Sequence, residues 1–254
     1  MENAKEETGS DLKDISVLYE DDAIVVINKP TGILVHADGR SNEPTVVDWL
    51  LARAPLARGV GEPGKAQDGT PLERSGVVHR LDKETSGVLI LAKTQEAFEH
   101  LKVQFHDRLA KKEYYAFVYG TMKDRWATIN RPIGRNARDY RLRSAERGAR
   151  GMLRDAVTDW ECLQQSDTHA YLKISPKTGR THQIRVHLKS VGHPIVKDEL
   201  YAVADFLKKD SLGFTRLALH AHTLTLTLLG GGTQVFTAPF PPDFETAKKA
   251  IASR

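Results

Sequence analysis

Short stretches of alternating hydrophobic and polar residues recur along this chain, a spacing that is typical of β-strands. Residues 88–92 form a continuous apolar run, which predicts a strand buried on both faces. The other predicted strands cover residues 17–19, 23–28, 33–36, 114–119, 156–163, 170–175, 217–219, 223–228 and 234–237. Because many of these strands follow one another directly, we predict an α+β fold, with a mixed, largely antiparallel β-sheet core and flanking helices.

Apolar residues at helical spacing are confined to a few segments between these strands. The predicted helices cover residues 45–54, with Thr45 as the cap, and residues 95–108, 181–191 and 244–252. In the third of these helices Ile184 and Leu188 are expected to face the core, whereas Arg185 lies on another side. Glycine and proline are frequent in residues 55–71, which are therefore predicted to be a mobile loop.

Length and composition describe an ordinary globular protein of 254 residues, of which 40% are hydrophobic and 28% charged. We predict a disordered polar tail over residues 1–14 and one domain over residues 15–254. No apolar run reaches the roughly 20 residues that cross a bilayer, and the N-terminus has no signal-peptide pattern. The single cysteine, Cys162, cannot form an internal disulfide. We therefore expect a cytoplasmic protein without a membrane partner. We also expect a monomer, because nothing in the sequence indicates a coiled coil or an obligate dimer.

The positive charge of the chain is concentrated in residues 131–154, called here the arginine segment. It holds eight arginines and two acidic residues. The segment is therefore +6, which exceeds the net charge of +4 carried by the whole chain. Guanidinium groups form forked hydrogen bonds with phosphates, so the arginine segment indicates a polyanionic partner. A solvated and partly disordered loop is the alternative interpretation.

A polar cluster, residues 79–87, lies between the apolar residues 77–78 and the apolar run 88–92. A loop held between two strands is a common place for a positioned reactive side chain, and Asp82 is the candidate here. The alternative is a turn built from the side-chain hydrogen bonds of Asp82, Thr85 and Ser86.

Residues 176–187 combine a glycine turn with a helix start that is crowded with cations. Backbone N–H groups and the helix dipole favour an anion at such a position, and Arg180 and Arg185 add to this preference. The alternative is a helix that carries ordinary solvated charges.

Histidines in the second half of the chain raise the question of a metal site; they are His182, His187, His193, His220 and His222. His182 and His187 are five residues apart and so do not share a helix face, and no acidic residue lies beside them at ligand spacing. We therefore expect no metal. The chain also has no nucleotide-binding fingerprint, so no cofactor is expected.

Together these segments resemble the RluA family of RNA pseudouridine synthases, in four blocks that occur in the family's order. The blocks are residues 19–32 followed by His36, residues 79–87, residues 112–120 and residues 178–195. The resemblance covers residues 15–240. One departure is Lys197, which stands before Asp198 where the family usually has glycine. We also expect no separate N-terminal RNA-binding domain of the kind that many relatives carry.

The resemblance implies the pseudouridine synthase catalytic fold and the isomerisation of specific uridines in ribosomal or transfer RNA. Asp82 corresponds to the family's essential aspartate, which either attacks the ribose or assists the departure of uracil; both alternatives stay open. Arg185 corresponds to the arginine that pairs with this aspartate, and Tyr114 to the tyrosine that packs on the target base. The base must first leave its stack. Arg80 matches the residue that fills the vacated space.

The resemblance and the charge pattern together give a set of residues expected to contact RNA: Arg80, His79, Lys29, Arg180, Arg138, Arg141 and Arg143. For Lys29 a purely structural role is the alternative. Two rival functions are a catalytically inactive RNA-binding or folding-helper protein of the same fold, and a metal-dependent nuclease. The joint presence of Asp82, Tyr114 and Arg185 argues against the first, and the lack of a carboxylate cluster for two metal ions argues against the second.

Overall fold

The structure is a computed structural model that describes residues 11–39, 41–65, 69–137, 139, 142–146 and 149–252. The chain divides into two compact units, Met1–Lys102 and Val103–Arg254. The predicted tail, residues 1–14, is described only from Asp11 onwards. There Leu12–Asp14 form a short 3₁₀ helix that is capped by the Asp11 side chain. The prediction for residues 1–10 lies outside the described residues.

The elements of the first unit alternate short strands with helices. They are β1 (Ser16–Glu20), β2 (Ile24–Lys29), α1 (Val46–Arg53), β3 (Gly64–Lys65), β4 (Pro71–Leu72), β5 (Ser86–Ala92) and α2 (Gln95–His106), whose end passes into the second unit.

The sheet of the first unit has β2 at its centre. Among the described residues, β2 pairs antiparallel with β1 on one side and with β5 on the other. Val25, Val26 and Ile27 of β2 are fully buried, and every residue of β5 is buried. The prediction of a strand buried on both faces over residues 88–92 is therefore confirmed.

Helix α1 begins where the sequence predicts. The Thr45 hydroxyl accepts a hydrogen bond from the Asp48 N–H at 3.4 Å, and the Asp48 carboxylate accepts one from the Thr45 N–H at 2.8 Å. This reciprocal pair satisfies N–H groups that a helix start leaves without partners.

Two predictions in this unit are wrong. Residues 55–71 are not a single loop, because Pro55–Ala57 form a 3₁₀ helix and β3 pairs with β4. Strands of two residues are too short to produce an alternating pattern that the sequence could reveal. Residues 33–36 do not form a strand; only Leu34 makes an isolated bridge, to Thr45.

The elements of the second unit are mostly strands. They are β6 (Lys111–Tyr119), β7 (Trp126–Asn130), β8 (Ile133–Arg135), β9 (Arg143–Ser144), β10 (Arg150–Arg154), β11 (Val157–Gln165), β12 (His169–Pro176), α3 (Gln183–Ser190), α4 (Ala204–Leu207), β13 (Leu219–Thr227), β14 (Thr233–Thr237) and α5 (Pro242–Ala252).

The large sheet of this unit runs in the order β14-β13-β6-β12-β11-β7, with every neighbouring pair antiparallel. This confirms the predicted α+β class with a largely antiparallel sheet. Its core is aromatic: Phe117 of β6 stacks on Tyr171 of β12 and contacts Phe214 and Phe244. The last of these belongs to α5, so the terminal helix closes one side of the core.

The predicted strands over residues 217–219 and 223–228 are one strand, β13. His220 and His222 interrupt the apolar pattern of the sequence here. The His222 ring stacks on Phe240 and the His220 ring contacts it at a tilt, so both continue the packed layer.

The arginine segment contains a small β-sheet. A solvated loop was one interpretation of its sequence. Within its described residues, β8 pairs antiparallel with β10 on one side and with β9 on the other. Ile133 and Ala145 bury against Ala156, Val186 and Tyr201. No helix in the described part of the chain is long and apolar enough to cross a membrane.

Candidate active site

Asp82 lies on the loop that leads into β5, and the loop after β2 holds the backbone beside it. The Thr31 hydroxyl donates to the Glu84 carbonyl at 2.8 Å, and the Gly32 N–H donates to the Lys83 carbonyl at 2.8 Å. A turn bond from the Thr85 N–H to the Asp82 carbonyl, at 3.1 Å, closes the loop. The half-buried Asp82 side chain therefore stands on a backbone that is fixed from two directions.

Lys29 is a buried residue that helps to support the Asp82 loop. Its side chain is completely buried, and its ammonium donates to the carbonyls of Pro30, Ile33 and Lys83 at 2.8, 2.9 and 3.1 Å. These bonds match the three donors of an ammonium group. That Lys29 contacts RNA stays a prediction, and its burial and these three bonds favour the structural role that was the alternative.

His79 and Arg80 precede Asp82 and differ in exposure. The His79 ring nitrogen Nε2 accepts a hydrogen bond from the Ile90 N–H of β5 at 3.1 Å, which ties the loop to the sheet. Arg80 is exposed, and its Nη1 donates to Nε2 of His36 at 3.3 Å.

His36 is a neutral acceptor for Arg80. Its Nδ1 lies 2.7 Å from the Ala37 carbonyl, so this nitrogen carries the proton and Nε2 is left to accept. Burial lowers the pKa of His36 to about 4, and the hydrogen bond to the Ala37 carbonyl opposes this. The nearby charges of Arg74 and Arg80 also lower the pKa, against a weaker opposite effect of Asp38. The sequence shows His36 only as the residue that follows the block 19–32 of the resemblance, and does not reveal its contact with Arg80.

Tyr114 lies on β6 of the second unit, paired with Ile174 of β12 and Ala221 of β13. Its ring is half-buried. Lys112 lies two residues earlier on the same face of the strand, and burial lowers its pKa to about 8. Its ammonium contacts the Thr178 carbonyl at 3.5 Å, which places a weakly basic amine beside the glycine turn before α3.

Arg185 is buried in α3 and pairs with a carboxylate from a later loop. Its Nε and Nη2 donate to the two carboxylate oxygens of Asp198 at 2.9 and 2.7 Å. The guanidinium also lies over the Tyr201 ring, 5.3 Å from its centre. Arg185 is 2% exposed, so the charge is satisfied inside the protein and not in solvent.

The polar residues around Arg185 anchor α3 to β11. The Gln183 amide donates to the Val157 carbonyl at 3.0 Å and to the Thr158 hydroxyl at 2.9 Å. His187 lies 2.9 Å from the same hydroxyl and 2.9 Å from the Arg131 carbonyl. The block that sequence reasoning treated as an anion site therefore also contains the buried polar contacts that hold the helix in place.

The remaining predicted RNA contacts occupy separate positions. Arg180 is half-buried, and its Nε donates to the Asp155 carbonyl at 3.1 Å. Arg143 is half-buried in β9, where its N–H donates to the Tyr201 hydroxyl at 3.1 Å. Arg138 and Arg141 lie outside the described residues.

The first unit thus brings His79, Arg80 and Asp82 onto one loop that Lys29 supports. The second unit brings the backbone N–H of Arg143 and the guanidinium of Arg185 into contact with Tyr201, and carries Tyr114 and Arg180. Within the described ranges, no group of three or more histidine, cysteine, aspartate or glutamate side chains could hold a metal ion.

Sequence reasoning missed Asp198 and Tyr201 as partners of Arg185. The signal available was the acidic residue itself, three residues after the block 178–195 of the resemblance.

Comparison with solved structures defines the class of fold. Human RNA pseudouridylate synthase domain containing 1 matches with a TM-score of 0.72 and 25% identity, over 91% of this chain and 86% of that one. Human RNA pseudouridylate synthase domain containing 4 matches with a TM-score of 0.71 and 26% identity, over 93% of both chains. The fold is therefore that of pseudouridylate synthases, as predicted.

Sequence comparison defines the family. A family model described as RNA pseudouridylate synthase matches residues 23–190. An uncharacterized RNA pseudouridine synthase of Synechocystis is 39% identical over 91% of this chain and 67% of its own length. The ribosomal large subunit pseudouridine synthase D of Xanthomonas campestris is 38% identical over 93% of this chain and 69% of its own length. The chain belongs to the RNA pseudouridine synthase family, whose members are isomerases.

Proposed function

We propose that this chain converts uridine to pseudouridine in large-subunit ribosomal RNA, with Asp82 as the essential catalytic group. The relative from Xanthomonas campestris is named for the ribosomal large subunit, which favours that RNA over transfer RNA. In the reaction the bond between ribose C1′ and uracil N1 breaks, the base turns, and C1′ bonds to C5. The proton leaves C5 and N1 gains one, so atoms and electrons balance without a cofactor.

The observation that carries this proposal is the support of the Asp82 loop. Three contacts from the Lys-Pro-Thr-Gly loop fix the Lys83 and Glu84 carbonyls, while the Asp82 side chain stays partly accessible. Because this backbone is already fixed in the folded protein, little further conformational entropy is lost when the carboxylate contacts a reacting atom. A turn that served only the fold would not need this amount of buried polar support.

Arg185 and Tyr114 complete the proposed catalytic set. Asp198 binds two of the five N–H groups of Arg185. The resemblance implies that Arg185 is the partner of the catalytic aspartate, and its two hydrogen bonds to Asp198 fix the orientation of the guanidinium. Tyr114 presents a half-buried ring, suited to packing against an extruded base. Arg80, exposed and hydrogen-bonded to His36, fills the space that the base leaves.

The test uses large-subunit ribosomal RNA transcribed with uridine tritiated at C5, because the label leaves as water only when C5 bonds to the ribose. We expect release by the wild type and a loss on the order of a thousandfold, or about 4 kcal/mol, in Asp82→Asn. Asp22→Asn removes an exposed carboxylate from the same unit and should retain full activity.

Three results would contradict parts of the proposal. Release of tritium by Asp82→Asn at the wild-type rate would remove the catalytic assignment. Release by the wild type from transfer RNA transcripts alone would replace the ribosomal substrate. RNA binding without release from either RNA would favour the inactive RNA-binding protein.

A further inference from the structure

Three arginines stand side by side across the small sheet of the arginine segment. Arg135 of β8 is directly opposite Arg150 of β10 on one side and directly opposite Arg143 of β9 on the other. Directly opposite residues of antiparallel strands project to the same face of the sheet. Arg143, Arg135 and Arg150 therefore form one row of cations, called here the arginine ladder.

Like charges directly opposite each other destabilise a sheet unless something compensates them. Within the described residues, none of the three guanidinium groups has an acidic partner. The Glu146 carboxylate, two residues after β9, is taken by the Lys189 ammonium at 2.5 Å. The folded protein thus holds three neighbouring positive charges without neutralising them, which is the arrangement of a surface built to bind an anion.

The backbone of this sheet is specialised to bring the arginines together. A side chain at Gly134 would place its Cβ 2.9 Å from the Arg150 carbonyl and 2.7 Å from the Leu153 side chain, so only glycine lets β10 approach β8 this closely. Gly151 has a φ of 73° at the irregular register that follows Arg150. Glycine adopts this conformation at little cost, and the bulge lets β10 turn after the ladder.

The ladder is joined to the proposed catalytic arginine through one loop. The Arg143 N–H donates to the Tyr201 hydroxyl at 3.1 Å, and the ring of the same tyrosine lies under Arg185. Tyr201 also buries against Ile133 of β8. The sheet that carries the ladder is therefore fixed with respect to α3.

We propose that the arginine ladder binds phosphate groups of the substrate RNA, an inference that rests on the proposed function. Strand spacing in a sheet sets the outer two arginine backbones about 10 Å apart. Their long side chains can therefore reach consecutive phosphates of one RNA strand, and each guanidinium can hold a phosphate by a fork of two hydrogen bonds. Arg135 and Arg150 are not among the RNA contacts that the sequence predicted, so the ladder assigns both a binding role.

The first test measures how salt changes the affinity for a fluorescein-labelled, single-stranded oligouridylate of ten nucleotides. For a single strand, loss of one phosphate contact should lower the slope of log affinity against log salt by about 0.7, and loss of two contacts by about 1.4. We expect the first change in Arg135→Gln and the second in the double variant Arg135→Gln/Arg150→Gln. Arg135→Lys keeps the charge and should keep the slope, while losing part of the affinity that the fork provides.

Arg125→Gln is the matched control, because Arg125 is exposed and lies before the first residue of β7. The other end of β7 leads to β8, so Arg125 is separated from the ladder by the length of that strand. It changes the net charge by the same amount and should leave the slope unchanged. An Arg135→Gln slope equal to that of the wild type would overturn the proposal. Equal losses in Arg125→Gln and Arg135→Gln would also overturn it, because binding would then follow net charge and not the ladder.

Thermal unfolding without RNA separates a binding role from a structural one. Because Arg135 lies between two like charges, Arg135→Gln should unfold at the wild-type temperature or above it. A clear drop in that temperature would mean that Arg135 stabilises the sheet, and the proposal would fail. Neither measurement needs turnover, so failure of the ladder and failure of tritium release by the wild type are distinguishable.

Discussion

Arg185 is a buried cation whose stability and proposed activity depend on the same partner. Asp198 binds it with two hydrogen bonds, and both side chains are almost completely buried, at 2% and 0% exposure. Removing one member of such a pair leaves an uncompensated buried charge, which costs about 3–5 kcal/mol. Loss of activity in an Arg185 or Asp198 variant therefore reports on catalysis only when the free energy of unfolding is measured beside it.

The loop that delivers Asp198 contains a strained residue, and this gives the first prediction of stability. Lys197 has a φ of 58°, in the left-handed region, inside a turn closed by the Asp198 N–H and the Ile195 carbonyl at 3.2 Å. Lys197→Gly relieves the steric cost but adds freedom to the unfolded chain. We expect the free energy of unfolding to rise by about 0.5–1 kcal/mol, measured by urea denaturation.

Lys123→Gly provides the control, because Lys123 is exposed in a bend and does not have a positive φ. Glycine there only adds freedom to the unfolded chain, so the free energy of unfolding should fall. A fall of equal size in Lys197→Gly would show that the left-handed backbone at position 197 costs nothing.

At the scale of elements, α3 is held by a chain of hydrogen bonds with one consistent direction. The Gln183 amide donates to the Thr158 hydroxyl, which in turn donates to Nδ1 of His187, and Nε2 of that ring donates to the Arg131 carbonyl. Burial lowers the pKa of His187, which keeps the ring neutral as this direction requires. Thr158 is completely buried at the centre of the chain of bonds.

Replacing Thr158 tests this anchor. Thr158→Val keeps the shape of the side chain but removes the hydroxyl, so Nδ1 of His187 and one N–H of Gln183 lose their partner in a buried site. We expect a loss of about 1–3 kcal/mol in the free energy of unfolding, again by urea denaturation. Thr237→Val, at an exposed position of β14, should change it by less than about 0.5 kcal/mol. Equal values for the two variants would contradict the anchor.

The elements that the sequence predicts well are those whose signal is local. β5 and α1 follow from a continuous apolar run and from a Thr45–Asp48 cap, and both are formed by neighbouring residues. The pairing of Arg185 with Asp198 joins residues thirteen apart through a loop, so no periodicity reveals it. The arginine ladder depends on the register of three short strands, which charge composition alone does not fix.

At the scale of the whole molecule, the surface proposed to bind RNA and two buried histidines differ in charge. The arginine ladder carries positive charge for the proposed contact with phosphates. His36 and His220, by contrast, are buried rings whose pKa values burial lowers to about 4. One lies in each compact unit, so both units carry a group that must stay uncharged in the folded state.

These two histidines predict that the protein loses stability in mild acid. Their folded-state pKa of about 4 lies below the ordinary value of 6.5, so the unfolded chain binds more protons between these pH values. Their contribution is complete above pH 6.5 and is lost as the pH falls towards 4, by up to roughly 3 kcal/mol for each ring. Urea denaturation at a series of pH values measures the loss.

His220→Phe isolates one of these contributions. The phenyl ring keeps contact with Phe240 and Phe244 but takes up no proton, so the variant should lose less stability than the wild type between pH 7 and pH 4.5. His106→Gln alters an exposed histidine and should follow the wild-type profile. If His220→Phe follows that profile too, the ring of His220 takes up its proton equally in the folded and unfolded states, and its burial does not govern acid stability.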